Sequence, residues 1–372
     1  MPLLTFVYIN DHLSASVAKL VAKDRLQYIK RDFIMSKMNN AYPGTGGERY
    51  IPWEERTGEE SVVYFTRKLS ADGLLKIFER VSGPLSGKVA VKLHTGEKNG
   101  PNIIPREWVR ELMEKKLSDS VIVETNTYYD GDRYTTERHR ETLKVNGWTF
   151  APVDIMDEDG TAMLPVKGGK WFDEMSVGSH MLQYDSLLVL THFKGHPMGG
   201  FGASNKNLGI GCADGRIGKA MIHSGEGSDD MWGIDQEELM ERITESAKAT
   251  VDFFGRRAVF IDVLRNMSVD CDCLGVSAAP VVTPNVGIVA SLDILAADQA
   301  GMDLVYAMKD ADNRHLVERI ETRHGHRQLS YMKELGMGNN LYKLIDIDND
   351  DAVITPAAAV EGVRPFGVWD EE

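Results

Sequence analysis

Apolar and polar positions alternate between two periods along most of the chain. SVVYFT (61–66) reads as a strand. In ADGLLKIFERV (71–81), Leu74, Leu75, Ile77, Phe78 and Val81 repeat at the spacing of one helical face. KVAVKLH (88–94) is strand-like again. Pro105 opens a helix in its first turn, with Trp108/Leu112 and Val109/Met113 as pairs on one face. SVIVE (120–124) predicts a strand, and TTERHRETLKVNG (135–147) a helix closed by Gly147. The second half keeps the rhythm. SLLVL (186–190), AVFIDVL (258–264), VGIVAS (286–291) and LYKLIDI (341–347) predict strands. Residues 235–255 predict a helix that starts on the capping box Asp235 to Glu238 and ends at Gly255, and residues 293–308 predict another.

Strands separated by helices imply crossover connections and an α/β fold. The expected architecture is two-lobed, with largely parallel or mixed sheets flanked by helices and a cleft between the lobes. Residues 40–60, rich in Gly, Pro and charge, read as a linker. The expected divisions are an N-terminal extension and linker (1–60), a first lobe (61–160), a second lobe (161–345) and an acidic C-terminal tail (346–372).

Composition narrows the partners. Hydrophobic residues form 42% of the 372 residues, enough for a substantial core, and the net charge is −14. A nucleic-acid binder needs a basic footprint, so that class is disfavoured. No apolar run approaches the roughly 20 residues of a membrane span. The first residues, MPLLTFVYINDHLSASVAKL, lack the basic start and continuous apolar core of a signal peptide. KRDF (30–33) faintly resembles a twin-arginine signal, but no apolar segment follows, and residues 19–37 read as a solvated basic helix. The cysteines are Cys212, Cys271 and Cys273, too few for a disulfide scaffold, which favours a reducing, cytoplasmic setting. Cys271 and Cys273 are also poorly spaced to bridge each other.

Candidate chemistry gathers in loops that follow strands, where such folds place their ligands. KLHTGEKNGPN (92–102) offers Lys92, His94, Glu97 and Lys98. ETNTYYDGDRY (124–134) offers Asn126, Tyr129, Asp130 and Arg133. THFKGHPMGGFGASNKNLGIGC (191–212) holds His192, Lys194, His196, Lys206 and Asn207 among glycines that include Gly200 and Gly202. RNMSVDCDCLGVSAAP (265–280) holds Cys271 and Cys273. The H-x-x-x-H spacing of His192 and His196 would suit a metal on a helix. Gly195, Pro197, Gly199 and Gly200 argue against a helix, and Phe193 stands where a zincin requires Glu. Acid/base catalysis by His192, His196 or His94 is the functional reading, and two hydrogen-bonded loop histidines the plain one. Lys194, Lys206 and Lys92 are candidates to hold a carboxylate or phosphate.

GCADGRIGK (211–219) fails as a phosphate loop: Ala213 replaces the first Gly and Ala220 the Ser/Thr. GIGCAD (209–214) lacks the third glycine of a dinucleotide fingerprint, and DIDNDD (346–351) lacks the Gly and Glu of an EF-hand. DCDC (270–273) can supply thiolates to a soft metal, with Cys212 as a third ligand and His192, His196 or Asp270 as a fourth. No ferredoxin-type cysteine run is present in the sequence.

Five blocks carry a family resemblance: VAVKLHTGEKNGPN (89–102), ETNTYYDGDRYTTERH (124–139), VLTHFKGHPMGGFGASNKNLGIGCADGRIGK (189–219), CDCLGVSAAPVVTPNVGIVASLDILAADQA (271–300) and LGMGNNLYKLI (335–345). Together the chain resembles the domain-of-unknown-function 362 family, described as iron–sulfur centre proteins, over residues 61 to 345. Relatives often carry a ferredoxin module after the GK block. Here MIHSGEGSDDMWGID (221–235) follows without cysteine, and Ala203 replaces a glycine of the family's Gly-Phe-Gly-Gly-Ala run. The third block is also similar to the His–Gly–Lys stretch of the nickel-pincer lactate racemases, which implies a two-lobed α/β enzyme.

Three functions follow as expectations. One is an enzyme acting on a small hydroxy acid, oxo acid or phosphorylated anion, by a racemase- or isomerase-like step or by a redox step that would need a cofactor. The second is a protein binding a transition metal or iron–sulfur cluster through Cys212, Cys271 and Cys273. The third is a binding module that works with a separate ferredoxin-like protein.

Overall fold

The computed structural model describes residues 47–224 and 233–367. The basic segment 19–37 lies outside the described residues, as do 225–232 of the segment that stands where relatives carry a ferredoxin module. No helix among the described residues is long and apolar enough to cross a membrane.

Thirteen strands form among the described residues: β1 (Glu60–Thr66), β2 (Val89–Lys92), β3 (Val121–Glu124), β4 (Val153–Ile155), β5 (Thr161–Pro165), β6 (Glu174–Gly178), β7 (Ser186–His192), β8 (Lys194–His196), β9 (Gly200–Gly202), β10 (Ala258–Leu264), β11 (Gly287–Ser291), β12 (Leu341–Asp346) and β13 (Ala352–Ile354). Nine of them build one mixed sheet in the order β13-β12-β1-β11-β10-β7-β2-β3-β4. β10, β7, β2, β3 and β4 are mutually parallel, and β11 runs against both β10 and β1.

The central strands are apolar without alternation because both faces are covered. Every residue of β2, β7, β10 and β11 is buried. Leu187 and Val189 face one core with Leu208, Leu239, Met240, Ile243 and Leu316. Leu188 and Leu190 face the other with Leu74, Ile77, Phe78, Val109, Leu112 and Leu143. The helices Ala71–Val81, Arg106–Lys116 and Thr136–Val145 therefore cover one face. Ser204–Gly211, Gln236–Phe254, Ile294–Ala307 and Asp310–Thr322 cover the other.

One sheet runs across the expected divisions. Residues 61–160 and 161–345 do not form separate sheets, since β1 pairs with β11 and β12, and β2 pairs with β7. What the two segments divide is the helical cover, one face each. Part of the expected linker is docked: Arg56 is buried with Nη1 and Nη2 each 2.6 Å from Asp303, and Trp53 Nε1 donates to the Tyr342 carbonyl. The expected acidic tail contains β13, which pairs with β12, and the fully buried Ala359.

Topology decides where a site can form. From β2 the chain moves outward to β3 and β4 with helices on one face. From β7 it moves the opposite way to β10 with helices on the other. Right-handed crossovers require this change of face. At the β2/β7 junction the loops leaving the strands' C-terminal ends diverge, and in open α/β sheets this is the usual ligand position.

Candidate functional site

The loops at this junction carry most of the candidate residues. β2 ends at Lys92, paired in register with Val189, and β7 continues to His192. His94 lies just beyond β2, and Lys194 and His196 lie on β8, paired with β9. The loop after β10 brings Asp270–Cys273 over the same edge. Gly195 N donates to the Ser268 carbonyl at 2.8 Å, and a Cβ on Gly195 would lie 2.2 Å from the Val269 carbonyl oxygen. Only glycine allows these two loops to approach so closely.

His192 is committed. Its Nδ1 lies 2.8 Å from Asp272 Oδ2, and its Nε2 lies 2.7 Å from the Arg265 carbonyl, so it ties β7 to the 265–277 loop. Burial raises the Asp272 carboxyl, but His192 and Lys194 outweigh it and hold Asp272 well below the usual carboxylate range.

Four lysines are buried here, and their partners separate them. Lys92 Nζ donates to the Leu93 carbonyl, Glu124 Oε2 and Asn207 Oδ1 at 2.9–3.0 Å, so all three protons are used. Lys194 donates to the His192 carbonyl at 2.8 Å and pairs with Asp272 at 3.3 Å. Lys219 meets Thr125 Oγ1 and the carbonyls of Asn126 and Ala213, and burial lowers its ammonium to about 8. Lys206 is different. It is 8% exposed, and among the described residues its Nζ meets one polar atom, Cys271 Sγ at 3.7 Å.

Two histidines of these loops share one polarity. His196 Nδ1 accepts from Met198 N (3.2 Å) and Gly199 N (2.8 Å), and His94 Nδ1 accepts from Gly96 N (2.8 Å). A ring nitrogen that accepts N–H carries no proton, so in each neutral ring Nε2 is the donor. Burial, helped by Lys206, lowers His196 to about 4, and burial with Arg133 lowers His94. Both side chains reach Cys271. Each can offer an N–H to developing negative charge, as a neutral imidazole does in an oxyanion site.

Cys271 caps the short 3-10 helix Asp272–Ser277, accepting from Cys273 N at 3.4 Å. The hydrogen bond from the Cys273 thiol, with Lys206 and His196, places the Cys271 thiol well below its ordinary value and Cys273 well above.

Other candidates are structural in this arrangement. Asn126 binds Asp157 and Thr136, and Asn207 joins Lys92 to Thr191. Glu97 accepts from Tyr129 Oη and Arg133 Nε on the rim. Gly200, at φ 74°, forms the β8–β9 turn against Gly325, and Gly202 lies opposite the Lys194 and Lys206 side chains. Cys212 stands apart from Cys271 and Cys273, packed in a core with its thiol pushed up to about 11 by burial.

Sequence reasoning did not single out Glu124, Asp272, His223 or the Asp262–Asp298 pair. His223 Nδ1 is buried without a partner among the described residues. Asp298 accepts from Ser204 N and Asn205 N, and Asp262 accepts from Ser204 Oγ. Burial raises both carboxyls, and the neighbouring Asp262 charge raises Asp298 further. The acidic residues ending β3 and lying within DCDC were visible signals for Glu124 and Asp272.

A metal centre was expected from Cys212, Cys271 and Cys273. Ligand atoms of His196, Cys271 and Cys273 do lie within 4.8 Å of one another. A metal-bound histidine donates its other N–H outward, whereas His94 and His196 both receive a backbone N–H on Nδ1. The Lys206 ammonium faces the same sulfur, and Cys212 is elsewhere. As arranged, with Nδ1 of both rings occupied and an ammonium against the sulfur, these residues do not fit a cysteine-ligated cluster.

A family model described as a domain of unknown function (DUF362) matches residues 89–303. No curated protein matches the chain. Among solved structures, the lactate racemase apoprotein from Thermoanaerobacterium thermosaccharolyticum is similar with TM-score 0.41 and 14% identity, over 69% of this chain and 59% of that one. A structural-genomics protein from Thermotoga maritima is similar with TM-score 0.31 and 14% identity, over 52% of this chain and 49% of that one. The chain thus spans about three fifths and about half of these two neighbours.

Proposed function

This chain belongs to the domain-of-unknown-function 362 family, and from the geometry of its β2/β7 junction we propose that it is an enzyme that binds a small anionic substrate on Lys206. The substrate class is a small hydroxy acid, oxo acid or phosphorylated acid. One observation carries the reading: of the four buried lysines at the junction, Lys206 is the one whose ammonium meets no oxygen among the described residues, only the Cys271 sulfur. A buried ammonium is stabilised by an acceptor, and a substrate carboxylate or phosphate supplies one.

His94 and His196 act on the acid side. With Nδ1 occupied by backbone N–H, each presents Nε2–H to a substrate oxygen that gains negative charge. His192 positions the loop that carries Cys271. Lys194 holds Asp272 and the β7 terminus, and Lys92 holds Glu124.

Calorimetric titration with lactate, pyruvate and inorganic phosphate tests the reading. Lys206→Met is expected to weaken the ligand that binds by about tenfold or more, the size of one charge-assisted hydrogen bond of about 1.5–3 kcal/mol. Lys92→Met is expected to lower stability in denaturant by about 1–3 kcal/mol, because buried Glu124 loses its nearest cation and keeps Arg133 at 3.4 Å. Equal affinity of the wild type and Lys206→Met, or no binding of any of the three probes, would sink the proposal.

A further inference from the structure

Cys271 is not needed to bind an anion, yet the site is built around its sulfur. Cys271 is fully buried. Lys206 Nζ lies 3.7 Å and the Cys273 amide 3.4 Å from its Sγ. Ligand atoms of His196 and Cys273 lie within 4.8 Å of it, and the backbone contacts on Nδ1 of His196 and His94 leave Nε2 of each ring as the donor. Donors on every one of these elements describe a sulfur held as thiolate, and a thiolate in an electropositive setting is the reactive form of cysteine.

We propose that Cys271 is the nucleophile of this site and that the substrate is a small 2-oxo acid, whose carbonyl carbon it attacks while Lys206 holds the carboxylate. The inference rests on the anion reading and narrows it, because a hydroxy acid has no electrophilic carbon and stops at Lys206. In the step, the Cys271 sulfur supplies the electron pair of the new C–S bond. The C=O π pair moves to oxygen, where the Nε2–H groups of His94 and His196 stabilise it. That oxygen takes the proton from the Cys273 thiol. The product is a thiohemiketal, Cys273 ends as the thiolate, and nothing is oxidised or reduced. The charge of the cysteine pair is unchanged, so Lys206 keeps an anionic neighbour throughout. The reverse sequence releases the oxo acid.

The test is carbon-13 NMR of pyruvate labelled at the carbonyl carbon, mixed with the full chain or with its Cys271→Ser variant. Serine retains an oxygen that can accept from the Cys273 amide, so the cap is preserved. In the wild type the bound carbon should lose its carbonyl resonance and appear as a tetrahedral carbon. In Cys271→Ser, pyruvate should still bind by calorimetry with its carbonyl resonance intact. Wild-type binding with an unchanged carbonyl overturns Cys271 as nucleophile and leaves the anion site standing. Absence of pyruvate binding to the wild type overturns this inference, and the anion reading also falls if lactate and phosphate fail to bind. A borohydride-stable pyruvate adduct on Lys206 overturns it in favour of a lysine imine. So does a stoichiometric metal ion in the purified protein that Cys271→Ser loses, since the sulfur would then be a ligand.

Discussion

An ammonium on a lysine says little until its acceptors are counted. Lys92 and Lys219 each spend three protons on oxygens and brace the scaffold, while Lys206 faces a sulfur. The histidines divide in the same way. His192 is held on both nitrogens, His94 and His196 on one, and buried His139 has Nδ1 3.4 Å from Asn126 Oδ1 with Nε2 unpartnered among the described residues. Burial, helped by Arg133, lowers His139 to about 3. An unfolded histidine takes up its proton near pH 6.5, whereas native His139 waits until about 3. Between those values the unfolded chain holds one more proton, so His139 costs stability as pH falls through the window. His139→Gln should flatten the pH dependence of urea stability there by up to about 1.4 kcal/mol per pH unit. An unchanged slope would show that His139 is protonated in the native protein.

At the scale of elements, the site depends on how the Ser204–Gly211 helix is seated. It presents Lys206 and Asn207, and it has no side-chain cap of its own. Asp298 on the helix Ile294–Ala307 caps it from outside, accepting from Ser204 N and Asn205 N. Gly209 sets its depth, because a Cβ there would lie 2.3 Å from the Ile243 carbonyl oxygen. Gly209→Ala should therefore destabilise the protein by about 1–3 kcal/mol through overpacking. It should also weaken anion binding, since the helix must move away from Gln236–Phe254 and carry Lys206 with it. Denaturant titration and calorimetry on the same variant check both effects, and a neutral result in both would mean that this contact does not seat the helix. Sequence pattern alone reads this segment as a glycine-rich loop. Its glycines lower helix propensity, and the external cap and the packing that offset them come from distant residues.

For the whole molecule, the single sheet makes the two sequence halves interdependent. β1 lies between β12 and β11, and β2 and β7 are neighbours. Chains of residues 61–160 and 161–345 made separately would each expose strand edges and half of a two-faced core. Neither is expected to show a cooperative thermal transition by circular dichroism, and a sharp transition in either alone would restore two independent lobes. The Arg56–Asp303 pair extends the same dependence to the segment before β1.

Much of the fold was legible along the chain. The helix at 71–81 and the strand at 258–264 coincide with their predicted bounds, because periodicity is a local property. The strand ends bearing His, Lys and Cys in Gly-rich loops gather at the C-terminal edge of β2, β7 and β10. Short strands such as β4, β8 and β9 were not legible, since three residues carry no period. What the sequence determined by itself was the α/β class, most of the central strands and the inventory of reactive groups. Tertiary structure alone decided which groups meet: it set Cys212 apart, gave Lys92 three acceptors and left Lys206 facing Cys271. The reason is physical. Periodicity is set by neighbours a few residues apart, whereas the state of a buried charge is set by partners that lie tens of residues away and meet only once the sheet has formed.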